Sequence, residues 1–192
     1  MLNLIIFGSP GAGKGTQAVL IAKKYNLNHL SSGEILRREL NNIEFGKKIK
    51  RYQNAGKLVP NNLVIKMVEE EVTKKISGGG FVFDGYPRNL KQAKALDKLF
   101  QDKNLSINLV INLKLSEREA VQRIMLRSKT SGRSDDNLKT IENRFTVYHA
   151  QTTPLLKYYH QQKKVINLDG RLTIPEISRQ IKQILTAYKK TN

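Results

Sequence analysis

The 192-residue chain contains no cysteine. Disulfide staples and thiolate metal sites are excluded, and the redox state of its compartment is left open. No apolar run approaches the roughly 20 residues that a membrane helix needs. The N-terminus lacks a basic stretch with a small-residue cleavage site, so no signal peptide is expected and a cytoplasmic location is the default. Acids are scarce: 16 Asp and Glu stand against 34 Lys and Arg, for a net charge of +18. Internal repeats and low-complexity linkers are absent too. So are a basic tail and aromatics interleaved with the basic residues, which weighs against a dedicated nucleic-acid surface. A charge of this size still attracts polyanions at low salt. The length suits one α/β domain with a sizeable core, and the lysine-rich surface suits an anionic substrate.

What is present is organised around Gly8-Ser9-Pro10-Gly11-Ala12-Gly13-Lys14-Gly15-Thr16. Ahead of it lies the short apolar run Leu2, Leu4, Ile5, Ile6 and Phe7, which reads as a buried parallel strand. Behind it, Ala18, Ile21, Ala22 and Tyr25 fit one face of a helix. Strand, glycine-rich loop and helix form the setting of a phosphate-binding loop. Glycines let successive backbone N–H groups turn inward, and the helix N-terminus adds its positive end. Lys14 supplies a full charge. Gly15 occupies the place where the general motif has a metal-ligating Ser or Thr, and Thr16 comes one residue later.

The rest alternates strand and helix. Asn28 to Leu30 is a short candidate strand, and a serine of Ser31-Ser32 caps the helix that Glu34 enters. His29 reads as a strand-end histidine with a local hydrogen bond rather than a catalyst. Residues 44–54 suggest a short helix, and Asn61 or Asn62 can cap the next one. Phe81-Val82-Phe83-Asp84 is a buried strand whose terminal carboxylate points toward the ligand crevice of an open α/β sheet. Gly85-Tyr86-Pro87-Arg88 delivers an arginine to the same crevice. After a helix over about 89–102, Ile107 to Leu113 is a further strand. Ser116 and Glu119 form a capping box for a helix through about Arg127. Arg123 and Arg127 share a face of it, a repulsion that an anion between them would reverse. The polar loop 128–137 suits a lid. A long helix to about 162 follows, with Pro154 as its kink. Arg144 lies near its buried stripe and requires an anion or an acid. Val165 to Leu168 is the last strand, and the last helix covers about 174–189. The pattern predicts a parallel sheet with right-handed crossovers.

The stretches GSPGAGKGTQ, HLSSGEILRREL, AGKLVP, FVFDGYPRNLKQA, QRIMLR and SGRSDDN with Arg144 behind it, in this order and spacing, resemble the nucleoside monophosphate kinase family. Within it they most resemble the adenylate kinases, and the resemblance covers nearly the whole chain. It implies an α/β fold: a P-loop kinase core with a five-stranded parallel sheet flanked by helices (core 1–30, 61–125 and 137–192). It also implies an NMP-binding helical segment at 31–60 and a short lid at 126–136. The lid is too short, and too poor in cysteine, for the zinc of longer-lid relatives. The implied reaction is MgATP + AMP ⇌ 2 ADP, with Mg²⁺ arriving on ATP. The acceptor branch accepting UMP or CMP is the alternative, and a basic P-loop nucleic-acid-binding protein is a more distant one.

The resemblance also implies roles. Gly11, Ala12, Gly13, Lys14, Gly15 and Thr16 cradle the ATP phosphates. Arg123 and Arg127 hold ATP, with Gly170 to Leu172 against its adenine. Ser32, Arg37, Lys57, Leu58, Val59, Gly85, Tyr86, Pro87, Arg88 and Gln92 bind AMP. Arg133 and Arg144 close on the phosphates, Asp84 orients water around Mg²⁺, and Asp135 and Asp136 order the lid. A monomer is the expectation. For the acceptor base, Gln92 points to AMP, since an amide offers a donor and an acceptor together. Ser32 keeps a hydroxyl where UMP and CMP kinases have alanine, while Asn89 leans toward that group.

Overall fold

The computed structural model describes residues 1–131 and 135–191. Five strands, β1 (Leu2–Gly8), β2 (Asn28–Ser31), β3 (Gly80–Asp84), β4 (Leu109–Lys114) and β5 (Val165–Asp169), form one all-parallel sheet in the order β2-β3-β1-β4-β5. The apolar run of β1 splits by parity. Ile5 and Phe7 enter a core with Phe81, Phe83 and Val110 on one face. Leu4 and Ile6 enter a second core with Val82, Ile111 and Leu113 on the other. Both faces are covered, so the strand carries apolar residues on both and shows no alternation; its one polar side chain, Asn3, is buried and bonded to the Ser106 carbonyl and the Phe81 N–H. Burying each such side chain contributes about 1.5–3 kcal/mol.

Helices α1 (Lys14–Tyr25), α2 (Ser32–Arg38), α3 (Gly46–Asn54), α4 (Asn61–Lys75) and α5 (Leu90–Gln101) fill the first half. Helices α6 (Glu117–Ser131), α7 (Leu138–Val147), α8 (Thr153–Gln161) and α9 (Ile174–Thr191) fill the second. Ser31 is the N-cap of α2, and its hydroxyl accepts from the Glu34 N–H. The Ser116 hydroxyl accepts from the Glu119 N–H, one half of the box, and donates to the Glu119 carboxylate.

Four local expectations need correction. Neither Asn61 nor Asn62 caps α4; the cap position is Pro60, with no side-chain bond. The Asn61 oxygen instead accepts from Asn89 and Gln92, far along the chain. Helix α6 runs on to Ser131, and within its last turn the Ser128 and Thr130 hydroxyls turn back onto carbonyls three residues earlier. The long helix is two helices joined by a π-turn over Tyr148–Thr152, and Pro154 begins α8 where its missing N–H is tolerated. His29 makes no close local bond: its Nδ1 lies 3.9 Å from Glu34, and its buried Nε2 has no partner among the described residues.

The carboxyl ends of the strands share one edge, where Ser31 of β2 is in register with Asp84 of β3, and Asp84 with Ile6 of β1. The chain order reverses at β1, so the loops leaving β1 and β3 part there and open a crevice.

Candidate functional site

A cleft of about 690 Å³ occupies that edge. Gly11, Gly13, Lys14, Gly15 and Thr16 line one side, with Arg123 and Arg127 of α6. Ser32, Arg37, Lys57, Leu58, Val59, Gly85, Arg88 and Gln92 line the other, with Asp84 and Arg144 between. Ala12, Tyr86, Pro87, Gly170 and Leu172 are not among the lining residues. Ala12 and Tyr86 are core: Ala12 sits in the cluster with Leu4 and Ile6, and the Tyr86 ring packs 6.3 Å from that of Phe83. Arg133 lies outside the described residues.

The glycine-rich loop after β1 leaves the N-terminus of α1 open, as an anion cradle requires. Gly13 caps α1 with φ 85°, a conformation that favours glycine, and no side chain satisfies the first turn of the helix. A side chain at Gly11 (φ 83°) would strike the Ala120 carbonyl. Lys14 folds back so that its Nζ donates to the carbonyls of Gly8 (2.9 Å) and Ser9 (2.8 Å). Burial lowers its pKa from 10.5 to about 8. Asp84 resists that shift, and the charges of Arg88, Arg144 and Arg127 add to it.

Arg88 is held at three points. Its N–H donates to Gln92 Oε1 (2.8 Å), its Nε to the Gly85 carbonyl (2.8 Å), and its carbonyl accepts from the Thr152 hydroxyl (2.9 Å). Burial, and after it the charge of Arg144, lowers its pKa, while Asp84 and Asp135 oppose them. Arginine stays charged regardless, so the site carries a costly cation that an anionic ligand would relieve.

The acid that Arg144 requires is found, in duplicate. Its Nη1 lies 3.2 Å from Asp135 and 3.4 Å from Asp136. Asp136 is fully buried and takes Arg127 in a fork, at 2.9 and 2.7 Å. Burial works to raise the Asp136 pKa, but the bonds and charge of Arg127, with Arg144 and Ser131, hold the carboxyl below its ordinary 3.8. Arg123 turns away from Arg127, donating to the carbonyls of Gly170 (2.8 Å) and Arg171 (3.4 Å). The two arginines on one helix face thus diverge, and the anion Asp136 joins Arg127 to Arg144 rather than to Arg123.

Ser32 Oγ donates to the Gly85 carbonyl at 2.5 Å, which leaves its lone pairs for a ligand. Sequence reasoning missed Thr152 and Asn61 as supports of the cleft, and Gln53 as part of its lining. Thr152 had a signal, as the polar member of a buried stripe. Asn61 had none, since its partners are 28 and 31 residues away.

Among the described residues no group of three or more His, Asp or Glu could hold a metal ion by itself. The Asp84 carboxylate lies close to the first turn of α1: a side chain on Gly15 would come within 3.2 Å of its Oδ2. One carboxylate beside a phosphate cradle fits a hard cation that keeps waters and shares substrate oxygens.

A family model described as adenylate kinase matches residues 6–164. The chain is 44% identical over 190 residues to the adenylate kinase of Parabacteroides distasonis, covering 98% of this chain and all of that one. It is 44% identical over 187 residues to that of Flavobacterium psychrophilum (96% and 98% covered). With that of Porphyromonas gingivalis it shares 37% over 193 residues, covering both chains entirely.

Proposed function

The chain belongs to the adenylate kinase family, and on that premise we propose the residue roles by which its cleft moves the terminal phosphoryl group of MgATP onto AMP to give two ADP. It is a nucleoside monophosphate kinase. One observation carries the roles: Lys14, Arg88, Arg127 and Arg144, from four separate parts of the chain, converge with Asp84 on one cleft. Phosphoryl transfer asks for positioning and charge stabilisation more than covalent chemistry.

The backbone N–H groups of Gly11 to Thr16 hold the ATP phosphates, and Lys14 leaves its carbonyls to follow the transferring group. Arg123 and the turn at Gly170 to Leu172, which it already grips, seat the adenine of ATP. Arg37 and Arg88 hold the AMP phosphate. Ser32, Lys57 to Val59, Gly85 and Gln92 hold its base. Arg127, Arg133 and Arg144 stabilise the charge on the group in transit. Mg²⁺ carried by ATP neutralises phosphate charge, and Asp84 orients its waters. The AMP phosphate is already a nucleophile, so no general base is needed. Segments 31–60 and 126–136 close over the two nucleotides and keep water from acting as acceptor. Every group in this scheme comes from one chain, which suits a monomer, and ATP and AMP as substrates suit a cytoplasmic location.

The test is acceptor selectivity with MgATP, comparing AMP, CMP, UMP and GMP at physiological salt. AMP should win by orders of magnitude. Comparable turnover of CMP or UMP would sink the acceptor-pocket assignment of Gln92 and Ser32.

A further inference from the structure

Three side-chain amides meet behind the acceptor side of the cleft: Asn61 at the start of α4, Asn89 before α5 and Gln92 within it. Their orientations follow from two backbone donors. The Arg88 N–H donates to Gln92 Oε1 (2.8 Å), and the Gln92 N–H donates to Asn89 Oδ1 (3.1 Å). A backbone N–H only donates, so both oxygens are fixed by chemistry. The nitrogen ends then face the other way, and both donate to Asn61 Oδ1, Asn89 at 2.8 Å and Gln92 at 2.9 Å. The three amides have one polarity, running from two backbone donors to one acceptor.

Gln92 lines the cleft although only 2% exposed. Each end of its amide has one bond committed, which leaves one N–H and one oxygen lone pair. That pair complements an edge with a ring-nitrogen acceptor beside an amino donor. Adenine and cytosine present such an edge. Hypoxanthine, guanine and uracil present the reverse, a ring N–H beside an oxo group. An amide free to flip by 180° serves both kinds; a pinned one, against a base held in one seat, serves a single kind, which for an AMP acceptor is the first. Ser32 acts in the same sense, because its proton is committed to Gly85 and only lone pairs face a ligand.

We propose that Asn61 is a specificity-determining positioning residue: by holding the nitrogen end of Gln92, it locks the amide into the orientation that accepts amino bases and rejects oxo bases. The inference rests on Gln92 being the acceptor-base contact and deepens that reading. It is set apart from a purely structural role by its signature, selection by edge pattern at equal ring size.

The experiment measures kcat and KM with MgATP for AMP against IMP and for CMP against UMP. It uses the wild-type protein and the variants Asn61→Ala, Asn61→Asp and Gln92→Ala, with thermal melts of each. Wild type should prefer AMP to IMP by at least about a hundredfold, and CMP should beat UMP, because a wrong edge leaves buried polar groups unpaired. Asn61→Ala should raise KM for AMP and lower the AMP-to-IMP ratio by about tenfold each, with KM for ATP within about twofold, the scale of one lost hydrogen bond. Asn61→Asp, whose carboxylate accepts both bonds, should restore the ratio. If Gln92→Ala abolishes the ratio while Asn61→Ala leaves it intact, the Asn61 role is wrong and the Gln92 contact stands. If Gln92→Ala leaves the ratio intact, the contact itself fails. Equal use of IMP and AMP by wild type overturns the lock without any variant, as does loss of the ratio in a folded Asn61→Asp.

Discussion

Binding of MgATP should draw protons from solution above pH 7.5, and Lys14 should be where they go. In the free protein burial holds its pKa at about 8. The neutral fraction is then about one-tenth at pH 7, one-half at pH 8 and three-quarters at pH 8.5, by simple titration. Phosphates in the cradle supply the counter-charge that the Gly8 and Ser9 carbonyls only approximate. If they return Lys14 to its ordinary 10.5, proton uptake equals those fractions. The shift is worth roughly 3 kcal/mol of ATP affinity between the charged and neutral forms, as an upper bound for a half-buried group. Affinity should therefore fall by up to about tenfold per pH unit between pH 8 and 10.5.

The assay is titration calorimetry with a non-hydrolysable MgATP analogue at pH 7 and pH 8.5, each in two buffers of different ionisation enthalpy. The slope of observed heat against buffer enthalpy counts protons. Uptake should rise steeply from pH 7 to 8.5 and vanish in Lys14→Met. Equal uptake at the two pH values, or uptake that survives in Lys14→Met, refutes the reasoning. The stability of the free protein carries the matching sign. A lysine with a depressed pKa penalises the fold while it is charged. Stability from this group therefore rises as pH climbs from about 8 toward 10.5, and bound nucleotide flattens the rise.

Arg88→Ala should lose at least about a hundredfold in kcat, the scale of one preorganised charge-stabilising donor. Its melting temperature should barely move, since Arg88 is already an unfavourable neighbour of Arg144; activity within a few-fold of wild type refutes the assignment. Thr152→Val removes the hydroxyl from the Arg88 carbonyl. It should raise KM for AMP about fivefold and leave KM for ATP unchanged in steady-state assays, the scale of one buried hydrogen bond. Asp136→Asn should cost about 1–3 kcal/mol at neutral pH in urea melts, less than the roughly 3–5 kcal/mol of a fully buried pair because Arg127 is partly exposed. The Asp136 carboxyl is depressed in the fold, so its contribution is full above the ordinary carboxylate pKa and is lost as pH falls through the lower folded value. Wild type and Asp136→Asn should converge in acid, and a difference that persists there counts against the pair.

The sheet was legible because four of its strands, β1, β3, β4 and β5, are short, largely apolar runs closed by turn residues, while the polar β2 (Asn28–Ser31) was legible only from its place between two helices. The core side of the site was legible for a different reason: Asp84 ends a strand, Lys14 and Arg88 lie shortly beyond strand ends, and those ends share one edge in a parallel sheet. Tyr86 and Pro87 stand beside Arg88 in sequence and were read with it, yet Tyr86 packs inward against Phe83 and neither lines the cleft. Both side chains are buried, and an aromatic ring beside a proline in a turn carries no period that says which way it faces. Pro60-Asn61-Asn62 matched the chemistry of a helix cap, and that local pattern concealed the distant partners of Asn61. The end of α6 is hidden in the sequence because Ser128 to Ser131 carry no apolar period; the Ser128 and Thr130 hydroxyls bond the helix's own carbonyls, and that of Ser131 bonds Asp136.

A cleft with this many cations must be stable before any phosphate arrives. Lys14 rests on two carbonyls, Arg123 on two others, Arg88 on that of Gly85, and Arg127 and Arg144 on Asp135 and Asp136. In the proposed reaction the substrate phosphates compete with these internal partners, so their affinity is a difference between two sets of bonds. The carbonyls are weak competitors, being neutral. The two carboxylates are strong ones, and they sit on the segment proposed to close. Removing one should therefore move binding and turnover in opposite directions. Asp136→Asn removes a negative charge from beside Arg127, so MgATP should bind more tightly, by about threefold to tenfold at low salt. It also removes the partner to which Arg127 returns when the product leaves, so release should slow and kcat should fall. Tighter ATP binding with lower kcat is the expected pattern in calorimetry and steady-state assays. Weaker ATP binding would mean that Asp136 serves the closed state rather than competing with the phosphates.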